Sequence, residues 1–173
     1  MSQPTGRYIH TRLSSKQIPD LLQAIFVAEM IAPSRCIWIV SPWISDIPVI
    51  DNSANSFQYL NMTWGREKVR FSKILTGLAE LGSTVHVATR PLPHNRGFVD
   101  RLAEGAAARR IRTHLVEDLH EKGILGDSFY LGGSMNFTFN GISINEEAVI
   151  YKTDPEVVAA RRVAYKDRWG GEL

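Results

Sequence analysis

Short apolar runs rich in β-branched residues alternate along this chain with longer segments of helical periodicity. The run CIWIV, from Cys36 to Val40, is apolar at every position and leads into a Ser-Pro turn signal, a pattern typical of a strand buried on both faces. In the segment before it, Leu22, Phe26 and Met30 fall on one face of a helix predicted over residues 15–31. The alternation predicts an α/β fold, with a mixed β-sheet flanked by helices on both faces.

The remaining segments fit the same alternation. Asp154 and Pro155 are residue types preferred at a helix N-cap and first turn, and they predict a closing helix up to residue 169. Residues 44–65 show no period and are rich in Asn, Ser, Asp and Pro, which predicts a long loop. Further helices are predicted over residues 66–82 and 94–110, strands over residues 83–90, 111–117 and 145–152, and a hairpin turn at residues 126–128.

Composition bounds the class of protein. The 173 residues, 44% of them hydrophobic, suffice for one globular domain spanning residues 1–173. Cys36 is the only cysteine, so no internal disulfide is possible, and a reducing, cytoplasmic location is expected. The longest apolar stretch carries Glu29 in its middle and is too short to cross a bilayer, so no membrane association is expected. The net charge of +2 does not by itself indicate nucleic-acid binding.

Two neighbouring segments, HEKGILGD from residue 120 and GSMNFT from residue 133, carry side chains suited to phosphodiester chemistry. His120 and Lys122 face the same side if their segment is extended, and Asn136 can join them if a hairpin returns the chain alongside. A neutral imidazole is a competent nucleophile or general acid near pH 7. An ammonium group and an amide offer hydrogen-bond donors to the non-bridging oxygens of a phosphate.

A carboxylate is still needed to orient the imidazole and to stabilise its cation. Glu147 in NEE is the candidate, on a strand expected to run through the same sheet. Strand alternation places its neighbour Glu146 on the opposite, solvent-facing side. The sequence has no compact cluster of His, Cys and carboxylate residues at metal-ligand spacing, so no metal site is predicted.

These segments resemble the signature motifs of the phospholipase D superfamily. HEKGILGD fits the pattern H-x-K-x4-D, GSMNFT fits G-S-x-N-x-[ST], and NEE fits a later N-x-E. CIWIVSPWISD and VRFSKILTGLAELGSTVHVATR resemble the first core strand and a later helix and strand of the family. The resemblance covers most of residues 15–151, and it implies a phospholipase D-like fold with one half-site per chain.

The resemblance also implies a role for each matching residue. His120 would attack phosphorus and form a phosphohistidine intermediate, with Glu147 orienting the imidazole. Lys122 and Asn136 would hold the phosphate, with Ser134 as a further donor. Family members of this type need neither a metal nor another cofactor, so no cofactor is expected.

Only one copy of the motif is present in this sequence. Members with two copies build one site from both, with one histidine as the nucleophile and the other as the acid for the leaving group. The single copy therefore predicts a two-fold homodimer, as in the small bacterial nucleases of the family, with both His120 side chains facing one phosphate.

Several candidate residues also have a structural interpretation. Asp127 in GDS is a candidate catalytic residue, and it is equally a residue type that forms turns. Lone histidines on strands and helices are most often structural, which is the interpretation given to His10, His86, His94 and His114.

Candidate substrate-binding residues, through stacking or phosphate contact, follow predicted strands, where loops gather around a site; they are Trp43, Arg90, Arg96 and, besides its structural interpretation, His94. The alternative is that they are ordinary surface residues. The arginine-rich stretch at residues 109–112 is interpreted as a solvated helix end, with contact to a DNA backbone as the alternative.

The favoured function is a metal-independent endonuclease that cleaves nucleic acid, with DNA favoured over RNA. Hydrolysis or transfer of phospholipids is an alternative within the same superfamily, disfavoured because the sequence offers no lipid anchor or apolar surface helix. A non-catalytic nucleic-acid-binding subunit is the third interpretation. The chain also resembles the DpdK-like members found in bacterial DNA-modification and restriction clusters, which implies protein partners from such a system.

Overall fold

The structure is a computed structural model that describes residues 6–10, 16–144 and 147–171. Within these ranges the strands are β1 (Gly6–His10), β2 (Cys36–Val40), β3 (Pro48–Asp51), β4 (Lys68–Arg70), β5 (Thr84–Thr89), β6 (Ile111–Leu115), β7 (Gly123–Leu125), β8 (Tyr130–Gly133) and β9 (Ala148–Lys152). The helices are α1 (Gln17–Ile31), α2 (Phe71–Glu80), α3 (Pro93–Leu102), α4 (Phe139–Ser143) and α5 (Pro155–Trp169), and a 3₁₀ helix covers Ala106–Arg110.

The main sheet has seven strands in the order β1-β9-β8-β7-β2-β5-β6. β2, β5 and β6 run parallel to one another, whereas β7 pairs antiparallel with β2 and begins an antiparallel series through β8 and β9 to β1. The sheet is therefore mixed, as predicted. The strand direction reverses between β2 and β7, near the middle of the sheet.

The interior strand β2 is buried on both faces because helices cover both sides of the sheet. Ile37 and Ile39 pack into a core cluster with side chains of α1, α2 and α3. Cys36, Trp38 and Val40 point the other way and pack with side chains of α5. The prediction of a mixed sheet flanked by helices on both faces is thus confirmed, and the uniformly apolar run CIWIV follows from this burial.

Several elements differ from the sequence-based predictions, which included neither β1 nor α4. The segment predicted as a loop contains β3, which pairs with β4 in a small separate sheet, so the helix predicted from residue 66 begins only at Phe71. The buried side chains of Ile50 and Val69 explain this pairing, which joins residues too distant in sequence to leave a local pattern. The helix predicted over residues 94–110 is divided at Gly105, whose φ of 79° suits glycine and ends the helical path.

The closing helix α5 begins as predicted. The Asp154 carboxylate accepts hydrogen bonds from the backbone N–H groups of Glu156 and Val157, at 3.0 and 3.1 Å. No helix in the described part of the chain is long and apolar enough to span a membrane.

A stacked pair of imidazoles lies on the α5 side of the sheet. The rings of His86 and His114 are 5.3 Å apart between centroids, and Nδ1 of His86 lies 3.0 Å from Nε2 of His114. Trp38 stacks on His86, and Trp169 packs against His114. Burial lowers the pKa of His86 to about 4, and the neighbouring His114 adds to this effect. This packing fits the structural role expected for both histidines.

The depressed pKa of His86 predicts a loss of stability in mild acid. The unfolded chain takes up a proton at the ordinary histidine pKa near 6.5, whereas the native chain takes it up only near pH 4. The contribution is therefore complete above pH 6.5 and is lost as the pH falls from 6.5 to 4, by about 3 kcal/mol in all. Urea unfolding of wild type and His86→Phe at several pH values checks this. The variant should lose less stability over this range, and an identical pH dependence in both proteins would contradict the assignment.

Candidate active site

Five strands place their ends along one edge of the main sheet. β7 begins at Gly123, which pairs with Val40 at the end of β2 and with Gly132 near the end of β8. The last residue of β8, Gly133, pairs with Val149 near the start of β9. The parallel neighbour β5 ends at the same edge as β2. Residues that precede β7 or β9 and residues that follow β2, β5 or β8 therefore meet along this edge, which we call the site edge.

Most of the predicted site residues belong to the site edge. They are His120 and Lys122 before β7, Ser134 and Asn136 after β8, Glu147 before β9, Trp43 after β2 and Arg90 after β5. The predicted meeting of the two motif segments is therefore reproduced by the strand register. Asn145 and Glu146 lie outside the described residues, as does the side chain of His10.

The segment from His120 to Lys122 precedes the regular strand. His120 is exposed, and Lys122 is half-buried and donates a hydrogen bond of 2.8 Å from its Nζ to the backbone oxygen of His120. The preceding side chain, Leu119, is fully buried and anchors the segment in the core. The lysine ammonium group is thus held close to the histidine backbone, and the imidazole is left open to solvent.

Ser134 and Glu147 form a hydrogen-bonded pair. The Ser134 hydroxyl donates to Oε2 of Glu147 in a short hydrogen bond and accepts one of 3.1 Å from the backbone N–H of Ala148. Glu147 is only 9% exposed, so its carboxylate is held in a partly desolvated position. The serine therefore fixes the carboxylate in this structure, a role that the sequence did not reveal.

Gly133 allows the chain to pass close to β9 just before this pair. Its φ is 149°, and a Cβ atom at this position would lie 2.1 Å from the backbone oxygen of Ala148. The backbone N–H of Ser134 donates to the same oxygen at 3.0 Å. A side chain at position 133 would therefore displace the strand end that carries Ser134.

Asn136 is positioned by the chain that follows it. The backbone N–H of Phe137 donates to the Ser41 hydroxyl at 3.2 Å, and Phe137 forms a β-bridge with Ile44. This ties the segment after β8 to the segment after β2. Within the described part of the chain, the buried Oδ1 atom of Asn136 has no hydrogen-bond partner, which is uncommon for a structural amide.

Asp127 lies at the opposite end of the β7–β8 hairpin. Its carboxylate is 3.3 Å from Nε of Arg35 and 3.3 Å from Nη2 of Arg162, and its backbone N–H donates to the Ser34 hydroxyl at 2.8 Å. These contacts join the hairpin turn to the start of β2 and to α5. The geometry therefore favours the turn-forming interpretation of Asp127 over direct participation at the site edge.

The predicted substrate-binding residues flank the site edge on the β5 side. The guanidinium of Arg90 lies 5.3 Å from the ring centroid of Trp43, and its Nε donates to the backbone oxygen of Glu117 at 2.7 Å. Trp43 is 39% exposed, so its ring remains open to a ligand. Arg96 is exposed on α3 and lines, together with Arg90 and Leu115, a cavity of about 230 Å³.

Asn95 holds this flank together, a role that the sequence did not predict. Its side chain is 1% exposed, and its Oδ1 accepts from the backbone N–H of Ile44 at 3.0 Å. Its Nδ2 lies 2.9 Å from the backbone oxygens of Pro42 and Arg90. One amide thereby fixes the chain after β2 and after β5. The sequence gives no local signal for this, because an asparagine near the start of a helix is ordinarily exposed.

Of the other histidines, His94 is at the surface, with Nε2 2.8 Å from the Ser45 hydroxyl. Among residues 6–10, 16–144 and 147–171, no three His, Cys, Asp or Glu side chains are grouped so that they could hold a metal ion.

No protein-family model matches the sequence, and no curated protein sequence matches it. Among solved structures, NucT from Helicobacter pylori is similar with a TM-score of 0.65 and 12% identity, covering 94% of this chain and 93% of that one. Nuc from Salmonella typhimurium, a phospholipase D family member, is similar with a TM-score of 0.59 and 17% identity, covering 96% and 95%. The chain has the fold of a phospholipase D family member.

The phospholipase D-like fold also occurs in other contexts. Polyphosphate kinase from Porphyromonas gingivalis matches with a TM-score of 0.59 and 14% identity, covering 93% of this chain and 25% of that one. TrmBL2, an archaeal chromatin protein with a novel mode of DNA binding, matches with a TM-score of 0.53 and 11% identity, covering 95% and 52%. At these identities the likeness concerns the fold, so an activity has to be argued from the residues at the site edge.

The close approach at Gly133 predicts a sensitive position. Gly133→Ala should lower the free energy of unfolding by about 2–3 kcal/mol, because the new Cβ would overlap the Ala148 oxygen. Gly65→Ala is the matched control, since a Cβ there meets no atom within 4 Å, and its effect should stay within about 0.5 kcal/mol. Chemical denaturation of both variants measures the difference, and equal stabilities would contradict the described approach of β8 to β9.

Proposed function

We propose that this chain is a metal-independent phosphodiesterase, an endonuclease that cleaves nucleic-acid phosphodiester bonds through a phosphohistidine on His120. The observation that carries the proposal is the shared sheet edge of His120, Lys122, Asn136 and the bonded pair of Ser134 and Glu147. The phospholipase D-like fold supports it, as does the fit of the same residues to the superfamily motifs.

The first step of this reaction is attack of a His120 ring nitrogen on phosphorus. A P–N bond forms, and the P–O bond to the leaving alcohol breaks. Lys122 and Asn136 would donate hydrogen bonds to the non-bridging oxygens, which carry more negative charge in the transition state than in the bound diester. Glu147, held by Ser134, would stabilise the imidazolium that develops on His120. Exposure of His120 leaves its ring accessible to a polymeric substrate.

The leaving alcohol needs a proton, which one imidazole cannot supply while it attacks phosphorus. We propose that His120 of a second copy supplies it and then removes a proton from the water that breaks the P–N bond. The half-site in one chain and the two-fold symmetry of homodimers support this arrangement. Within the described chain, His86 and His114 are packed on the α5 side of the sheet and do not belong to the site edge.

We propose that the substrate binds along the flank formed by Trp43, Arg90 and Arg96. An exposed indole ring beside a guanidinium offers a base a surface to stack on and a phosphate a cation to meet. We propose DNA as the preferred substrate, and a bacterial DNA-modification or restriction system as the setting in which protein partners act with the chain.

A non-catalytic role in nucleic-acid binding is the second candidate function. The similarity of the fold to TrmBL2, an archaeal chromatin protein that binds DNA, favours it. The two functions differ in turnover, because a binding subunit would retain DNA without cleaving it.

Substitutions at the site edge separate the two functions. His120→Ala should abolish cleavage of plasmid and single-stranded DNA in EDTA, and Lys122→Ala should lower it by about 100-fold, because a donor to the charge that develops on the phosphate oxygens contributes about that much. Lys68→Ala, at an exposed lysine of β4, is the matched control and should leave cleavage unchanged. Gel assays with RNA and a generic phosphodiester in parallel define the substrate class.

Cleavage that requires a divalent metal, or that survives His120→Ala, would contradict the mechanism. DNA binding by a wild-type protein that cleaves none of these substrates would establish the second candidate function instead.

Mixing experiments test the shared site. When wild type and His120→Ala are co-refolded in equal amounts, a quarter of the random dimers carry two intact histidines, so activity should fall to about one quarter of the unmixed wild type. If each chain worked alone, activity would fall to about one half. Light scattering of the wild type checks the assembly, and an active species of monomer mass would contradict the proposed dimer.

A further inference from the structure

Glu121 connects the motif segment to the closing helix. It lies between His120 and Lys122, in the stretch that precedes the regular part of β7. Its Oε2 is 3.1 Å from Nη1 of Arg168, and its Oε1 is 4.0 Å from Nη1 of Arg161. Both arginines belong to α5, so the carboxylate bridges a stretch without strand pairing to a helix of fifteen residues.

The arginines that Glu121 contacts are held in place by aromatic rings. The guanidinium of Arg161 lies 4.9 Å from the ring centroid of Tyr130, and that of Arg168 lies 4.5 Å from the ring centroid of Trp169. Such stacking limits the side-chain freedom of each arginine before it meets the carboxylate. Glu121 therefore contacts a partly fixed pair of cations.

Tyr165 lies on α5 between Arg161 and Arg168. The three positions are four and three residues apart, so they share one face of α5. A Cβ atom at Gly123 would lie 2.9 Å from the Tyr165 hydroxyl, which shows how closely the helix approaches the first residue of β7. Burial raises the pKa of Tyr165, and Tyr130 and Glu121 nearby add to this effect. One helix face thus contacts the chain on both sides of Lys122.

These ion pairs contribute little to global stability. Both arginine side chains are 48% exposed and that of Glu121 is 26% exposed, so solvent screens the pairs. Their effect is therefore expected to be local. The segment they restrain is the one that carries the exposed imidazole of His120 and the ammonium group of Lys122.

We propose that Glu121 is a positioning residue, which fixes His120 and Lys122 relative to the site edge by bridging to Arg161 and Arg168. The catalytic part of this inference rests on the proposed function. Because reacting groups that are displaced by about 1 Å lose up to about 100-fold in rate, loss of the bridge should lower kcat with little change in KM.

The first test compares Glu121→Gln with wild type in the backbone NMR order parameters of residues 120–122. These order parameters should fall from about 0.85 to below about 0.6 in the variant, because the local restraint is lost while the rest of the fold is kept. Glu117→Gln, at an exposed position of the same connection, is the matched control and should keep the wild-type order parameters. This measurement does not require enzyme activity, so it tests whether Glu121 restrains the segment even if the wild type cleaves no phosphodiester. In that case the proposed function would be wrong, and the result on the restraint would still stand.

The second test measures cleavage. Glu121→Gln should lower kcat by about 10-fold with KM within about 2-fold of wild type. In a protein that already carries Arg161→Gln and Arg168→Gln, the same change should have no further effect, because the bridge is already broken. An effect of Glu121 that does not act through the two arginines would instead give an additive loss.

Unchanged order parameters in Glu121→Gln overturn the inference, as does unchanged kcat in an active enzyme or an additive loss in the background that lacks both arginines. If Glu121→Gln fails to fold, Arg168→Gln is measured in the same way and decides by the same criteria.

Discussion

The antiparallel pairing of β7 with β2 is the interaction on which the candidate site depends. β2 and β5 run parallel and deliver Trp43 and Arg90 to one edge of the sheet. Because β7 runs the other way, its first residue Gly123 pairs with Val40 at that edge, and the segment with His120 emerges there. In a wholly parallel sheet this segment would lie at the opposite edge, away from the residues that follow β2 and β5. The backbone pairing of the sheet thus brings the segments that carry the site residues to one edge.

Local patterns in the sequence predicted much of this arrangement. The buried strand CIWIV, the cap at Asp154 and the hairpin between β7 and β8 depend on periodicity and turn chemistry within a few residues, and they occur where predicted. The motif spacing predicted a hairpin that returns the segment with Asn136 toward the segment with His120 and Lys122, and the hairpin of β7 and β8 brings the ends of these segments to the same edge.

The features that were missed depend on contacts between distant parts of the chain. The pairing of β3 with β4 is decided by the burial of Ile50 and Val69, which no local pattern reveals. The hydrogen bonds of Asn95 and the bridge from Glu121 to α5 join segments about fifty residues apart. Asp127 was ambiguous for the same reason, because its partners Arg35 and Arg162 lie far away in sequence.

The fold alone does not determine the chemistry. Structures of the same fold include a phospholipase D family member, part of a polyphosphate kinase and an archaeal chromatin protein that binds DNA. What distinguishes a catalyst among them is whether a nucleophile, phosphate donors and an orienting carboxylate meet at one place. In this chain the exposed His120, the hydrogen-bonded pair of Ser134 and Glu147, and the half-buried Asn136 belong to the same sheet edge.

If His120 is the nucleophile, it bonds covalently to phosphorus during each turnover, and that bond can be trapped. Excess enzyme is mixed with a short DNA oligonucleotide in EDTA, quenched at alkaline pH where phosphohistidine survives, and digested for mass spectrometry. We expect a nucleotide adduct on the peptide that carries His120, and none in His120→Ala. Cleavage of the oligonucleotide with no adduct on that peptide, or with an adduct on another residue, would contradict it.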